Sequence, residues 1–123
     1  MTENVRVSAS CQPLLANSEP ARSHFAFSYT IRIENLGEET AQLLERHWII
    51  RSNGQQIAEV VGPGVVGEQP VLEPGAMFEY SSGAVIQDPL GSMEGSYTFR
   101  AASGRFFQVA IPRFELLYPI VIH

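Results

Sequence analysis

Between Phe25 and Glu34 the chain alternates strictly, with Phe25, Phe27, Tyr29, Ile31 and Ile33 in one set and Ala26, Ser28, Thr30, Arg32 and Glu34 in the other. A two-residue period puts the aromatic and aliphatic set on one face of an extended segment, so it predicts a half-buried β-strand. Val5, Val7, Ala9 and Cys11 alternate in the same way with Arg6, Ser8, Ser10 and Gln12. They predict a first strand that ends before Pro13 and carries Cys11 on its apolar face. Elsewhere Pro and Gly punctuate the chain so often that only Ala21–Leu36 and Glu38–Asn53 are long spans free of both, which leaves little room for long helices.

The span Glu38–Asn53 is ambiguous in period, because Ala41, Leu44 and Trp48 also fit a helical face. The β-favouring run Trp48-Ile49-Ile50 and the dipeptide Asn53-Gly54 decide for a strand, since Asn-Gly suits a two-residue hairpin turn with both residues at positive φ. Its return strand is expected over Gln56–Val61. Leu72-Glu73-Pro74-Gly75 then reads as a turn into a strand at Met77–Ser81. Asp88-Pro89-Leu90-Gly91 and Gly95 predict a mobile connection to a strand at Tyr97–Ala101, and Ser103-Gly104 a hairpin returning through Phe106–Ile111 to Pro112. About seven short strands with turn signals between them predict an all-β, antiparallel β-sandwich. No linker divides the pattern, so residues 1–123 form a single domain. Its inner faces are expected to carry Phe25 or Phe27, Tyr29, Ile31, Trp48, Phe78, Tyr80, Tyr97, Phe99 and Phe107, with Trp48 at the centre.

Composition narrows the function classes. The charge at pH 7 is −5, and all eight basic residues are arginines scattered from Arg6 to Arg113, without the cluster that a phosphate backbone requires. Nucleic acid is therefore not an expected partner. The start of the chain has neither a basic region nor an apolar run, and no apolar stretch reaches the length of about 18 residues needed to cross a membrane. A cytoplasmic protein with no membrane partner is expected. One cysteine, Cys11, allows neither an internal disulfide nor a multi-cysteine metal site.

The sharpest motif is Gly62-Pro63-Gly64-Val65-Val66-Gly67, which has the glycine spacing of a dinucleotide-binding fingerprint. That fingerprint works by opening a helix whose N-terminal amides hold a pyrophosphate. Here Pro70 and Pro74 leave no length for the helix, and Glu68 puts a negative charge where the anion would sit. A Gly-rich surface loop between strands is the simpler reading, and its length from Gly62 to Leu72 makes it the expected recognition surface. The contact residues are Gly62, Gly64, Val65, Val66, Gly67, Glu68 and Gln69, with Arg46 and His47 as neighbouring surface.

No catalytic set survives inspection, so no enzyme is expected. His24, His47 and His123 lie far apart, and none has metal-ligand spacing with another histidine or with Cys11. Gly91-Ser92-Met93-Glu94-Gly95 puts serine one place too early for a nucleophile elbow. Cys11 lies among valines, where a buried thiol is inert. The segment Phe114–Ile122 carries a single charge. It reads either as a last strand on the protein's own sheet or as an edge for self-association or partner docking.

As an ordered set, five stretches resemble the ApaG family: Arg46-His47-Trp48, Gly62 through Pro70, Leu72-Glu73-Pro74-Gly75, Phe78-Glu79-Tyr80-Ser81-Ser82-Gly83 and Met93-Glu94-Gly95-Ser96-Tyr97. The resemblance runs from about Val5 to Phe114. Departures are small: Ser52 stands where an acidic residue often precedes the Asn-Gly turn, and Asp88 where threonine often precedes Pro-x-Gly. The resemblance implies a fibronectin type III-like member of the immunoglobulin-type sandwiches. It also implies a link to cobalt tolerance and magnesium efflux, no catalytic residues and no cofactor. Relatives that occur as domains of larger interaction proteins suggest a binding module whose partner is another protein. The alternatives are a phosphate or dinucleotide held by the Gly62–Leu72 loop, and a divalent metal held by Glu68, Glu73 and His47.

Overall fold

In the computed structural model, which describes residues 4–119, the alternating segments pair into eight antiparallel strands. They are β1 (Val5–Pro13), β2 (Phe25–Asn35), β3 (Ala41–Ser52), β4 (Gln55–Pro63), β5 (Val71–Leu72), β6 (Met77–Ile86), β7 (Leu90–Ala101) and β8 (Phe106–Leu117). One sheet has the order β1-β2-β6, and the other the order β4-β3-β7-β8 with β5 also paired to β3. Stacked face to face they make a fibronectin type III-like sandwich. The layers are linked where β1 runs beside β8, and there the Cys11 thiol donates to the Glu115 carbonyl at 3.0 Å. Burial pushes that thiol's pKa up, which keeps it protonated. Among the described residues no helix is long and apolar enough to cross a membrane.

The core is organised around one indole. Trp48 of β3 has ring contacts with Tyr29 of β2 at 5.5 Å, Phe114 of β8 at 6.0 Å and Tyr97 of β7 at 6.5 Å, all edge-on. Edge-on contact suits the ring quadrupoles, and three of them bind both sheets to one side chain. Directly opposite Trp48 on β7 is Gly95, where an added Cβ would fall 1.9 Å from the His47 carbonyl oxygen. Only a residue without a side chain allows the two backbones to approach there.

The hairpin at Asn53-Gly54 forms with φ of 49° and 83°, closed by the Ser52–Gln55 pair. Other segments differ from the sequence expectation. Pro13 belongs to β1, paired with Phe27, which an edge strand tolerates because its free side needs no N–H. The strand expected at Met77–Ser81 continues to Ile86. The expected connection before Tyr97 is instead strand from Leu90, because Gly91 and Gly95 serve close backbone approach to β3 rather than turns. Pro112 does not end β8, since an extra residue between Ile111 and Phe114 makes a bulge that absorbs it. Beyond it Phe114–Leu117 pairs with Leu90–Met93, so that stretch is a last strand on the protein's own sheet. Ile120, Val121, Ile122 and His123 lie outside the described residues.

Candidate functional site

The glycine-bearing segment sits on the outer edge of β3. β4 runs along that edge until Pro63 pairs with Glu45, and β5 resumes along it where Val71 pairs with Gln42. The expected loop from Gly62 to Leu72 is therefore shorter: Gly62 and Pro63 end β4, Val71 and Leu72 form β5, and residues 64–70 make the excursion between them. It leaves the sheet where β3 carries a bulge at Leu44, whose carbonyl accepts from the Gly64 amide at 2.7 Å and from Gln69 Nε2 at 2.9 Å. The Leu43 amide donates to the Pro70 carbonyl at 3.0 Å, and Gln42 Nε2 to the Gln69 carbonyl at 3.1 Å.

The tip folds back on itself. Val65 and Glu68 exchange both backbone hydrogen bonds, at 2.8 and 2.9 Å, around Val66 at φ 44° and Gly67 at φ 79°. Two positive φ values in a two-residue hairpin define a type I′ turn, a conformation that a β-branched residue adopts at a cost of about 1–2 kcal/mol. Gly64, at φ 62°, lies so close to the Glu68 carbonyl that a Cβ would come within 2.1 Å of its oxygen. Two anchors hold this geometry. Val65, only 1% exposed, plugs into the core. Arg46 Nη1 donates to the carbonyls of Pro63 at 2.9 Å and Gly64 at 3.0 Å, with the guanidinium lying over Gly62.

These placements redistribute the residues singled out from sequence. Val65, expected as a contact residue, is core: it takes the inward position that secures the turn, and Val66, 52% exposed, is the apolar side chain the loop presents. Gly67, Glu68 and Gln69 are exposed beside it. Arg46 is the clamp under the loop rather than open surface. His47 points to the opposite face of the sheet, where its Nε2 lies 2.7 Å from Glu59 Oε2. Tyr29, Trp48, Tyr80 and Tyr97 are all in the core. Gln42, which ties the loop to β3, belongs to no sequence motif.

The chemistry open to this loop follows from its hydrogen bonds. A pyrophosphate cradle needs successive backbone N–H groups aimed outward at the start of a helix. Here the Gly64, Val65 and Glu68 amides already donate to carbonyls, no helix follows, and the Glu68 carboxylate is exposed at the tip. Nor are Glu68, Glu73 and His47 brought together, because among the described residues no three His, Cys, Asp or Glu side chains converge as a metal-binding group would. What the loop offers is a fixed turn bearing one apolar and one acidic side chain, Val66 and Glu68.

Comparison with known proteins agrees with this architecture. The family model for the ApaG domain matches residues 15–101. A Protein ApaG from Thiobacillus denitrificans is 47% identical over 119 residues, covering 97% of this chain and 94% of that protein. One from Pectobacterium carotovorum is 50% identical over 108 residues, covering 88% and 86%. A crystal structure described as a putative ApaA protein from Bordetella pertussis superposes with a TM-score of 0.92 at 39% identity, covering 97% of each chain.

Proposed function

The chain belongs to the ApaG domain family, and from that membership we propose that it is a non-enzymatic binding module of the cytoplasm, whose partner is another protein and whose contact surface includes the loop at residues 64–70. The observation that carries this reading is the pre-organisation of the loop. A strained turn is held by a buried valine, an arginine clamp and two glutamine bonds, yet Val66 at its tip is 52% exposed. Fixing a turn before an encounter lowers the ordering cost of binding. Strain of this kind persists where the surroundings over-determine it, and it concentrates at sites of recognition. The cobalt tolerance and magnesium efflux that the resemblance attaches to the family would then act through a bound protein rather than through direct ligation.

The test is affinity capture from native cell extract with the wild-type chain and with Val66→Asp, which alters only the exposed tip. Partners recovered with the wild type should be lost or strongly reduced with the variant. An unchanged set in unchanged amounts rules out the loop as the contact surface.

A further inference from the structure

We infer that the row Val71, Gln42, Arg100 and Phe106, across the outer face of the larger sheet, docks an acidic peptide segment of a partner protein, with a carboxylate on Arg100 and apolar side chains over Phe106 and Val71. This rests on the binding-module reading and gives that module's partner a chemistry.

The row is set by register. Gln42 pairs with Val71 on one side and with Arg100 on the other, and Arg100 pairs with Phe106. The sequence neighbours Ala41, Leu72, Phe99 and Ala101 are buried, so these four side chains point outward. With strands about 4.8 Å apart the row is roughly 14 Å wide. Phe106 is 64% exposed and Val71 is 58% exposed, and a shallow depression of about 190 Å³ lies between Val71 and Arg100.

Arg100 differs from the other arginines. Each of them, from Arg6 to Arg113, is held by a carboxylate or, for Arg46, by the loop carbonyls. Arg100 is exposed and has neither an ion pair nor a side-chain hydrogen bond among the described residues. Glu45, on the same face opposite Thr98, makes no ion pair with it. On a chain of net charge −5 such a cation is a local exception. A guanidinium accepts a carboxylate in fork geometry, and flanking apolar groups that exclude water strengthen the pair. Arginine beside an exposed phenylalanine is also the composition in which interface cores are enriched. Through the bond from Gln42 to the Gln69 carbonyl, the row is continuous with the clamped loop.

The test titrates the full 15N-labelled chain with a short peptide alternating aspartate and leucine. The controls are matched peptides carrying asparagine or lysine in place of aspartate, and inorganic phosphate. Saturable shifts are expected at the Gln42, Val71, Arg100 and Phe106 amides and at the Arg100 Nε–H with the aspartate peptide alone. R100E should weaken them roughly tenfold or more, and F106S should weaken them as well. Because both sites are exposed, an undisturbed spectrum elsewhere verifies the fold. Silence of the row, an equal response to the lysine peptide, or the same Arg100 response to phosphate alone overturns the inference. Loss of partners with V66D alongside a silent row leaves the binding module standing and removes this face. A responsive row with V66D unchanged removes the loop instead.

Discussion

Tyr80 of β6 and Tyr97 of β7 meet across the sandwich, hydroxyl to hydroxyl at 2.5 Å, and each satisfies the other. Tyr97 is 0% exposed and Tyr80 8% exposed, so removing one oxygen has unequal consequences. Y80F strands the Tyr97 hydroxyl where no water reaches it, at a cost of about 1–3 kcal/mol for an unsatisfied buried polar group. Y97F strands the Tyr80 hydroxyl nearer the rim, so its cost should fall at about 1 kcal/mol, the low end of that range. The Y80F/Y97F double replaces both by apolar edges of the same shape and should be more stable than Y80F alone. Denaturant midpoints at constant m-value measure all three. If the double loses the sum of the two singles to within about 0.5 kcal/mol, the two hydroxyls do not depend on each other and their mutual satisfaction is refuted. The same pair sets a pH limit. Burial pushes the Tyr80 hydroxyl up to about 12 and that of Tyr97 higher still, from an ordinary 10.0. Above about pH 10 the unfolded chain has lost protons that the native state keeps, so stability should fall by about 1.4 kcal/mol per pH unit for each tyrosine. Below that pH nothing is lost, and the double variant should lack the steep alkaline fall.

Trp48→Ala should cost about 3–5 kcal/mol in denaturation, because three aromatic contacts and both sheets meet on that ring. Gly67→Ala meets no atom within 4 Å and should show only the left-handed backbone penalty of about 1–2 kcal/mol. Gly64→Ala drives a Cβ into the Glu68 carbonyl and should cost about 1–3 kcal/mol more than Gly67→Ala in the same assay. Arg46→Met keeps an apolar stem but removes the donors to Pro63 and Gly64, so hydrogen exchange at the Gly64, Val65 and Glu68 amides should accelerate while that of β2 is unchanged.

The parts of the fold visible in sequence are those where one face is buried without interruption. β2 keeps period two for its whole length, and the Asn53-Gly54 turn needs two positive φ values that its residues tolerate. β3 is harder to read because the bulge at Leu44 shifts its phase. Ala41 and Leu43 point inward before it, and Arg46, Trp48, Ile50 and Ser52 after it, so the apolar positions mimic a helical face. Glycine in β7 and proline in β8 read locally as breaks. Their actual reasons, backbone approach and a bulge, come from strands paired across the sheet. Within the loop no period distinguishes Val65 from Val66, and the row through Arg100 joins residues far apart in the chain.

The loop shows why glycine spacing alone is ambiguous. A dinucleotide fingerprint places its glycines so that a helix can begin and its amides can face an anion. Here Gly62 lies beneath a guanidinium, Gly64 fits against the Glu68 carbonyl, and Gly67 completes a type I′ turn. The spacing is the same but the demands are those of a clamped hairpin. In that hairpin the Gly64, Val65 and Glu68 amides are internally bonded, while Val66 and Glu68 are exposed at the tip and the Gln69 side chain is tied back to the Leu44 carbonyl. A loop that commits three of its amides to internal bonds, opens no helix and displays Val66 beside a carboxylate is better suited to complementing another protein's surface than to enclosing a phosphate.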